Sequence, residues 1–354
     1  MASRNSSKTK EKWIGVIGVG SFGTAIANML AEKNPVMVYA RKEEVVQEIN
    51  ENHTAQGKPL NPNIRGTFDP KEICETCDIL FMMVSSSGFQ EVTKTFAPYL
   101  LPYHLIIHGT KGLCLNLGEG ETLESVQKIR RSQILTMSEV ILQETVVVRV
   151  GCLAGPNLSK ELVKGQPAAT VIASKYNEVI LEGQSLLRSE KFQVYGNSDI
   201  IGVELSGVLK NIIAIASGAL AGLGLGENAK GLLISRGMVE MVHLSNALGG
   251  SVKSVIGLAG IGDLVTTCNS VDSRNFTVGF RLAKGEKLPE IMADMEEVAE
   301  GINTIRIIKA FLETADLRAP ITEYLYRVLF EDFDIKEALQ FLMKYPFNVD
   351  IDFV

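Results

Sequence analysis

The stretch IGVIGVGSFG, residues 14–23, carries the clearest fold signal in this 354-residue chain. An apolar run, Ile14–Val19, leads into a G-x-G-x-x-G pattern formed by Gly18, Gly20 and Gly23, where a strand would give way to a helix. The first glycine allows a tight turn, the second lets a diphosphate approach the backbone, and the third permits close packing of helix on strand. Free N–H groups at the helix start can bind phosphate. The stretch therefore predicts a dinucleotide-binding loop.

Further apolar runs alternate with helical patterns along the first half of the chain. We predict buried parallel strands at Ile14–Val19, Pro35–Ala40, Cys77–Val84, Leu105–His108, Val147–Ala154 and Ala169–Ala173. We predict helices at Thr24–Lys33, Glu43–Asn50 and Thr122–Arg131. This βαβ series predicts an α/β fold with an N-terminal doubly wound sheet of the Rossmann type.

The pattern changes after Phe192–Tyr195, where long helical stretches with glycine-rich joints continue to Ile335–Leu342. We predict a dinucleotide-binding domain at 13–198 and a mostly helical, substrate-binding domain at 199–354, with the boundary near Gly196–Ser198. Residues 1–12 are polar and basic, and we predict a disordered tail there.

Composition excludes several classes of protein. Lys plus Arg number 35 and Asp plus Glu 41, a net charge of −6 that gives no overall basic footprint for nucleic acid. The five cysteines are too few and scattered for a disulfide scaffold, so a cytoplasmic location is expected. The run 205–226 has one charge, Lys210, over a membrane-spanning length, but its lysine and glycines favour a buried central helix over a membrane span.

An arginine stands where the second predicted strand ends, in Tyr39-Ala40-Arg41. An acidic residue there would bind the 2′-hydroxyl of the adenine ribose, whereas an arginine can accept a 2′-phosphate or stack on adenine. Arg41 therefore favours NADP, or tolerance of both NAD and NADP. The alternative is a solvated surface arginine.

Lys210 lies within an apolar helical pattern, six residues after Glu204. Six residues rotate a helix by about 600°, so the two side chains are not a natural surface pair. Loss of water would lower the lysine pKa toward the range useful to a general base. The alternative is a lysine that reaches the solvent from the rim of the core.

A polar cluster follows downstream. If a helix begins near Asp263, Thr266 and Thr267 share its face and place hydroxyls beside a carboxylate. The run Ser273-Arg274-Asn275 has the donors to hold a phosphate. Together these strings predict a site for a hydroxylated, phosphorylated molecule.

From Ile14 to Phe330 the chain closely resembles the NAD(P)-dependent glycerol-3-phosphate dehydrogenases. Besides the glycine loop, the resemblance rests on Thr110-Lys111-Gly112, Ala154-Gly155-Pro156-Asn157, Glu204–Asn211, Leu258–Thr267, Ser273-Arg274-Asn275 and Val298-Ala299-Glu300-Gly301. It implies hydride transfer between NAD or NADP and a small phosphorylated substrate, glycerol 3-phosphate or dihydroxyacetone phosphate, in support of glycerophospholipid synthesis. It also implies a homodimer.

The resemblance assigns roles to particular residues. Lys210, as proton acceptor toward the substrate 2-hydroxyl, Lys111 and Asp263 would be catalytic. The dinucleotide would contact Gly18, Gly20, Ser21, Phe22, Gly23, Arg41, Lys111, Ser159, Arg274, Val298 and Glu300. The substrate would contact Lys111, Gly155, Asn157, Lys210, Asn211, Asp263, Thr266, Ser273, Arg274 and Asn275.

Two positions depart from the family pattern. Ser85-Ser86 stands where a Pro-Ser pair is usual, which would loosen a turn beside the cofactor. Asn157 stands where a serine or threonine is usual, which replaces a hydroxyl with an amide.

Two further functions stay open at this point. One is another hydroxyacid dehydrogenase of the same architecture, although such enzymes typically space their lysine and asparagine a turn apart and here Lys210 and Asn211 are adjacent. The other is a non-catalytic dinucleotide sensor.

No metal site is predicted. Cys74 and Cys77 form a single C-x-x-C, which we interpret as packing residues. His104 and His108 would share one face of a strand, but no Asp or Glu is adjacent to them and the spacing of a metal site is absent.

Overall fold

The computed structural model describes residues 12–118, 120–123, 125–295 and 299–344. The strands are β1 (Ile14–Ile17), β2 (Val36–Tyr39), β3 (Thr54–Ala55), β4 (Lys58–Pro59), β5 (Ile64–Thr67), β6 (Ile79–Met82), β7 (Leu105–His108), β8 (Leu113–Leu115), β9 (Ile134–Thr136), β10 (Arg149–Ala154), β11 (Ala168–Ser174) and β12 (Phe192–Asn197).

Helices follow most of the strands and make up the second half of the chain. They are α1 (Ser21–Ala31), α2 (Glu43–Asn52), α3 (Pro70–Thr76), α4 (Ser86–Phe96), α5 (Met137–Glu144), α6 (Ser159–Val163), α7 (Asn177–Leu187), α8 (Ile200–Gly222), α9 (Glu227–Ala247), α10 (Val252–Val255), α11 (Asp263–Cys268), α12 (Arg274–Ala283), α13 (Leu288–Asp294), α14 (Glu300–Leu312), α15 (Pro320–Phe330) and α16 (Ile335–Lys344).

Eight strands form one sheet in the order β12-β11-β10-β7-β6-β1-β2-β5. Six neighbouring strands of this sheet, β10, β7, β6, β1, β2 and β5, are parallel, and their order in the sheet is that of a doubly wound dinucleotide-binding sheet. Two apolar cores cover the faces of this sheet. The predicted Rossmann-type fold with a helical C-terminal part is confirmed.

The prediction that Ala169–Ala173 lies in a parallel strand was wrong in its direction. β11 contains these residues, but it runs antiparallel to β10, with Gly151 opposite Ser174. Parallel neighbours need a long crossover, whereas residues 155–167 carry only the short helix α6 and turn back through Gly155 (φ 149°) and Gly165 (φ 65°). β12 then pairs parallel with β11.

The helix predicted at Thr122–Arg131 was also wrong. The described residues of this segment are irregular up to the 3₁₀ turn that begins at Arg131. The apolar spacing of Leu123, Val126 and Ile129 reflects contact with the helical core rather than a helix. Ile129 binds that core through its backbone, because its N–H donates to Ala310 O (3.0 Å) and its carbonyl accepts from Thr314 Oγ1 (2.7 Å).

Helix α8 is the central element of the helical part. It is long and apolar enough to cross a membrane, but 94% of its most apolar window is buried inside the protein, as predicted for a central helix. Its glycines allow α12 to approach closely, since a β-carbon at Gly218 would lie 1.9 Å from the carbonyl oxygen of Phe276. This crossing fixes α12, and with it the Ser273-Arg274-Asn275 segment, against α8.

The predicted tail, residues 1–12, lies outside the described residues except for Lys12. The strands end at Asn197 and α8 begins at Ile200. The hairpin of β8 and β9 is an exception to a simple division, because Leu113 and Ile134 pack into the helical core. We keep 13–198 and 199–354 as a proposed division of the chain.

Candidate active site

The glycine loop has the geometry that its sequence predicts. Gly18 has a φ of 109°, and a β-carbon at Gly23 would lie 2.2 Å from the carbonyl oxygen of Gly18, so helix α1 packs tightly on the end of β1. A β-carbon at Gly20 would meet no atom within 4 Å. The first turn of α1 carries no acidic residue and no side-chain cap. Open space before the uncapped start of α1 fits the diphosphate of a dinucleotide.

Phe22, Arg41 and Ser159 are further residues predicted to contact the cofactor. Phe22 lies over the end of β7, since a β-carbon at Gly109 would be 2.8 Å from its Cε1. Arg41 is exposed directly after β2. Ser159 begins α6, and the adjacent Lys160 forms an exposed ion pair with Asp272. That pair brings α6 next to Ser273 at the start of α12.

A buried ion cluster forms where α8, α11 and the loop after β7 meet. Asp263 accepts from both lysines, with Oδ1 2.7 Å from Lys210 Nζ and Oδ2 2.6 Å from Lys111 Nζ. Lys210 also donates to Thr267 Oγ1 at 2.5 Å, and Lys111 donates to the carbonyl oxygen of Gly155 at 3.1 Å. The structure thus brings together the three residues predicted to be catalytic.

Burial and charge set the protonation of this cluster. Burial lowers the pKa of the Lys210 ammonium to about 8; Asp263 opposes this shift and Lys111 adds to it. For Asp263, burial alone would raise the pKa, but Lys111 and Lys210 outweigh it and hold the pKa of the carboxyl below its usual value. A lysine with a pKa of about 8, held by an ionised carboxylate, can both donate and accept a proton.

Small residues make this cluster possible. The stem of Lys111 crosses α8 at Gly207, where a β-carbon would lie 3.6 Å from Lys111 Cδ. A π-helical turn, Leu258–Gly262, leads into α11, and a β-carbon at Gly260 would lie 1.9 Å from the carbonyl oxygen of Val255. Only glycine fits that approach, which places Asp263 at the start of α11. Gly207 stands out only in the structure, because no pattern in the sequence marks it.

Of the two adjacent threonines, Thr267 joins the cluster. Its hydroxyl lies 3.1 Å from Asp263 Oδ1 in addition to its contact with Lys210. Thr266 donates to the carbonyl oxygen of Gly262 at 3.0 Å. Its predicted contact with substrate stays a prediction.

The Ser273-Arg274-Asn275 segment begins α12. Ser273 caps the helix by accepting from the N–H of Phe276 at 3.3 Å, and Arg274 is exposed at the first helical position. Asn275 accepts from Gly301 N at 3.0 Å. A β-carbon at Gly301 would lie 2.9 Å from the carbonyl oxygen of Asn211, so α8, α12 and α14 converge here.

Glu300 joins α14 to the cofactor side of the site. Its Oε1 accepts from the N–H of Ser86 at 3.1 Å, and its Oε2 accepts from the Ser86 hydroxyl. This carboxylate therefore accepts two hydrogen bonds at the start of α4. They hold the turn that contains Ser85, the residue that departs from the family pattern. Val298, predicted beside the cofactor, lies outside the described residues.

The amide of Asn157 has a local partner. Asn157 lies in the loop after β10, and its side chain is 2.8 Å from Thr170 Oγ1 on β11. The preceding Gly155, with a φ of 149°, presents its carbonyl oxygen to Lys111. This loop therefore orients Lys111, and the amide at position 157 is accommodated.

No Asp or Glu is adjacent to His108 in the sequence, but the fold brings one beside it. Glu204 on α8 places Oε1 3.0 Å from His108 Nε2, and both side chains are buried. Glu204 also accepts from Ser138 N (2.8 Å) and Ser138 Oγ (2.5 Å) at the start of α5. Strand and helix meet here across 96 residues of sequence, which no local pattern could reveal.

Cys74 and Cys77 are free and lie in the core of the sheet, as predicted for packing residues. Burial raises the pKa of each thiol to about 12. Among the residues that the structure describes, no group of three or more His, Cys, Asp or Glu side chains could hold a metal ion.

Comparison with known proteins covers both halves of the chain. Residues 13–180 match the profile of the NAD-dependent glycerol-3-phosphate dehydrogenase N-terminus, and residues 199–340 match that of its C-terminus. A glycerol-3-phosphate dehydrogenase (NAD(P)+) of Teredinibacter turnerae is 37% identical over 344 residues, which is 96% of each chain. One of Staphylococcus haemolyticus is 37% identical over 335 residues, 93% of this chain and 97% of that one.

Solved structures agree with this likeness. The glycerol-3-phosphate dehydrogenase of Coxiella burnetii matches with a TM-score of 0.82 and 32% identity, over 94% of this chain and 99% of the other. The yeast glycerol-3-phosphate dehydrogenase, at 22% identity, has a TM-score of 0.79 over 94% and 99% of the two chains, and shows that the fold is shared.

Proposed function

Because the chain belongs to the NAD-dependent glycerol-3-phosphate dehydrogenase family, we propose that it interconverts dihydroxyacetone phosphate and sn-glycerol 3-phosphate with Lys210 as acid and base. It is an oxidoreductase that acts on a CH–OH group with NAD or NADP as cofactor. The observation that supports the lysine mechanism is the buried Lys111–Asp263–Lys210 cluster.

A nicotinamide dinucleotide held at the glycine loop would supply or accept the hydride at C2 of the substrate. In reduction, the Lys210 ammonium donates a proton to the oxygen on C2, and in oxidation the neutral amine accepts that proton. Asp263 holds both lysines in place, and Lys111 keeps a second positive charge near the developing oxyanion. Arg274, with Ser273 and Asn275, binds the phosphate and so orients C2.

The dinucleotide is held, in this proposal, by the glycine loop, Ser21, Phe22, Arg41, Ser159, Val298 and Glu300. Gly155, Asn157, Asn211 and Thr266 complete the substrate side. The open space at Gly20 and the uncapped start of α1 support this placement.

We also propose a biological role, a cellular location and an oligomeric state. Glycerol 3-phosphate is the backbone of glycerophospholipids, and we propose that the chain supplies it. All five cysteines are free, which supports a reducing cytoplasm. We propose a homodimer because the family implies one. Light scattering after gel filtration would measure the molar mass of the protein in solution and so test this proposal.

Purified protein is expected to oxidise one NADH or NADPH for each dihydroxyacetone phosphate reduced, because hydride transfer is stoichiometric. Loss of absorbance at the nicotinamide band measures the cofactor, and chromatography measures glycerol 3-phosphate. The control is dihydroxyacetone, which lacks the phosphate that Arg274 would bind and should react at least about tenfold more slowly. Failure of the phosphorylated substrate with both cofactors would overturn the proposed substrate.

A further inference from the structure

A short hairpin outside the predicted site places Lys58 beside the dinucleotide loop. Lys58 lies on β4, and its Nζ donates to Ser21 Oγ at 2.8 Å. Ser21 is the first residue of α1 and follows Gly20 directly. Lys58 is half-buried. An ammonium group therefore stands at the mouth of the loop that would receive a dinucleotide.

The turn between β3 and β4 fixes the position of Lys58. Gln56 and Gly57 connect β3 to β4 with φ values of 50° and 72°, as a two-residue turn of type I′ requires. Glu48 on α2 fixes that turn, since it accepts from Thr54 Oγ1 (2.8 Å), Gln56 N (3.2 Å) and Gly57 N (3.1 Å). The hairpin is thus tied to the Rossmann-type domain immediately before Lys58.

Helix α1 holds the other end of the hairpin. Asn28 donates to the carbonyl oxygen of Pro59 at 3.1 Å and accepts from the N–H of Asn61 at 2.8 Å. The residue next to Lys58 is therefore bonded to the same helix whose first turn Lys58 contacts. Lys58 and the start of α1 keep a fixed relation to each other.

The charges beside Lys58 and the start of α1 favour the binding of an anion. The start of a helix carries partial positive charge, and α1 has no acidic residue or side-chain cap in its first turn. Among the described residues, no carboxylate forms an ion pair with Lys58. The Lys58 ammonium and the start of α1 face the same open space at Gly20. Because both are positive, they repel each other unless a negative group lies between them.

We propose that Lys58 binds the diphosphate of the dinucleotide, opposite the backbone N–H groups of the Gly20–Phe22 segment. The diphosphate approaches the second glycine, which adjoins Ser21, whereas the adenine ribose lies at the end of the second strand, where Arg41 stands. Lys58 therefore contributes to affinity for NADH and NADPH alike. The inference rests on dinucleotide binding and not on the proton transfer proposed for Lys210.

Calorimetric titration of the full chain with NADH and with NADPH, without substrate, tests this proposal. Lys58→Gln is expected to raise the Kd of both cofactors by about tenfold, because a charge-assisted hydrogen bond is lost. Lys58→Arg should keep most of the affinity. Lys71→Gln, an exposed change of equal charge on α3, should leave both Kd values unchanged. The Kd of the wild type should also rise more steeply with salt than that of Lys58→Gln.

Two results would overturn the assignment. Equal Kd values for Lys58→Gln and the wild type would remove Lys58 from the site. A loss confined to NADPH would place Lys58 on the 2′-phosphate instead of the diphosphate. Cofactor binding without turnover of dihydroxyacetone phosphate would contradict the proposed function but leave this test intact.

Discussion

Replacing Lys210 by methionine is expected to lower kcat/KM for dihydroxyacetone phosphate by about 10²- to 10⁴-fold, the range that a general acid contributes. Methionine has nearly the length of lysine and suits the buried surroundings, so the fold should persist. Lys111 keeps its contact with Asp263, which leaves that carboxylate paired. The measurement is initial velocity at saturating NADH, with circular dichroism to compare the folded state.

Lys253→Met is the matched control for this change, because Lys253 is exposed on α10. Its kcat/KM should stay within about twofold of the wild-type value. Turnover by Lys210→Met at the wild-type rate would remove Lys210 from the chemistry.

Replacing Asp263 by asparagine is expected to cost both stability and activity. The amide leaves the buried Lys210 ammonium and the half-buried Lys111 ammonium without their shared counter-ion, and breaking a buried pair costs about 3–5 kcal/mol in free energy of unfolding. Since the Asp263 carboxylate raises the pKa of Lys210 against the effect of burial, that pKa should fall below about 8 in the variant. Urea unfolding at neutral pH measures the stability.

The pH dependence of this stability follows from the pKa of Asp263, which folding lowers from its usual value of 3.8. Its contribution is present in full above that usual value and is lost as the pH falls through the lower, folded-state pKa. On the acid side, the difference between wild type and Asp263→Asn should therefore shrink only in strongly acid solution; it should also shrink above about pH 8, where Lys210 loses the charge that pairs with Asp263. Asp294→Asn, at an exposed ion pair with Arg281, should change stability by less than about 1 kcal/mol. Equal stability of Asp263→Asn and the wild type would contradict the ion cluster.

Local sequence patterns were sufficient for the parts of the fold that depend on neighbouring residues. The glycine loop, the strand before it and the long apolar helix that carries Lys210 all follow from spacing along a single segment. The direction of β11 did not, because it depends on how residues 155–167 turn in space. The segment 122–131 was mistaken for a helix because contact with a distant core imposes a similar apolar spacing.

The same distinction applies to the candidate site. Lys210 and Asp263 stood out as charged groups in apolar or glycine-rich surroundings, and the structure places them in contact. The choice of Thr267 over Thr266 depends on the rotation of α11 against α8. Lys58 and the pair of His108 with Glu204 depend on segments far apart in sequence, so no local motif marks them.

The pH dependence of kcat/KM for dihydroxyacetone phosphate reduction, between about pH 7 and 10, tests the role of Lys210 most directly. Since the ammonium must donate the proton, wild-type kcat/KM is predicted to fall above about pH 8, where the pKa of Lys210 lies. Oxidation of glycerol 3-phosphate should rise over the same interval, because it needs the neutral amine. The residual activity of Lys210→Met should lack this transition. An identical transition in Lys210→Met and the wild type would contradict Lys210 as the acid and base.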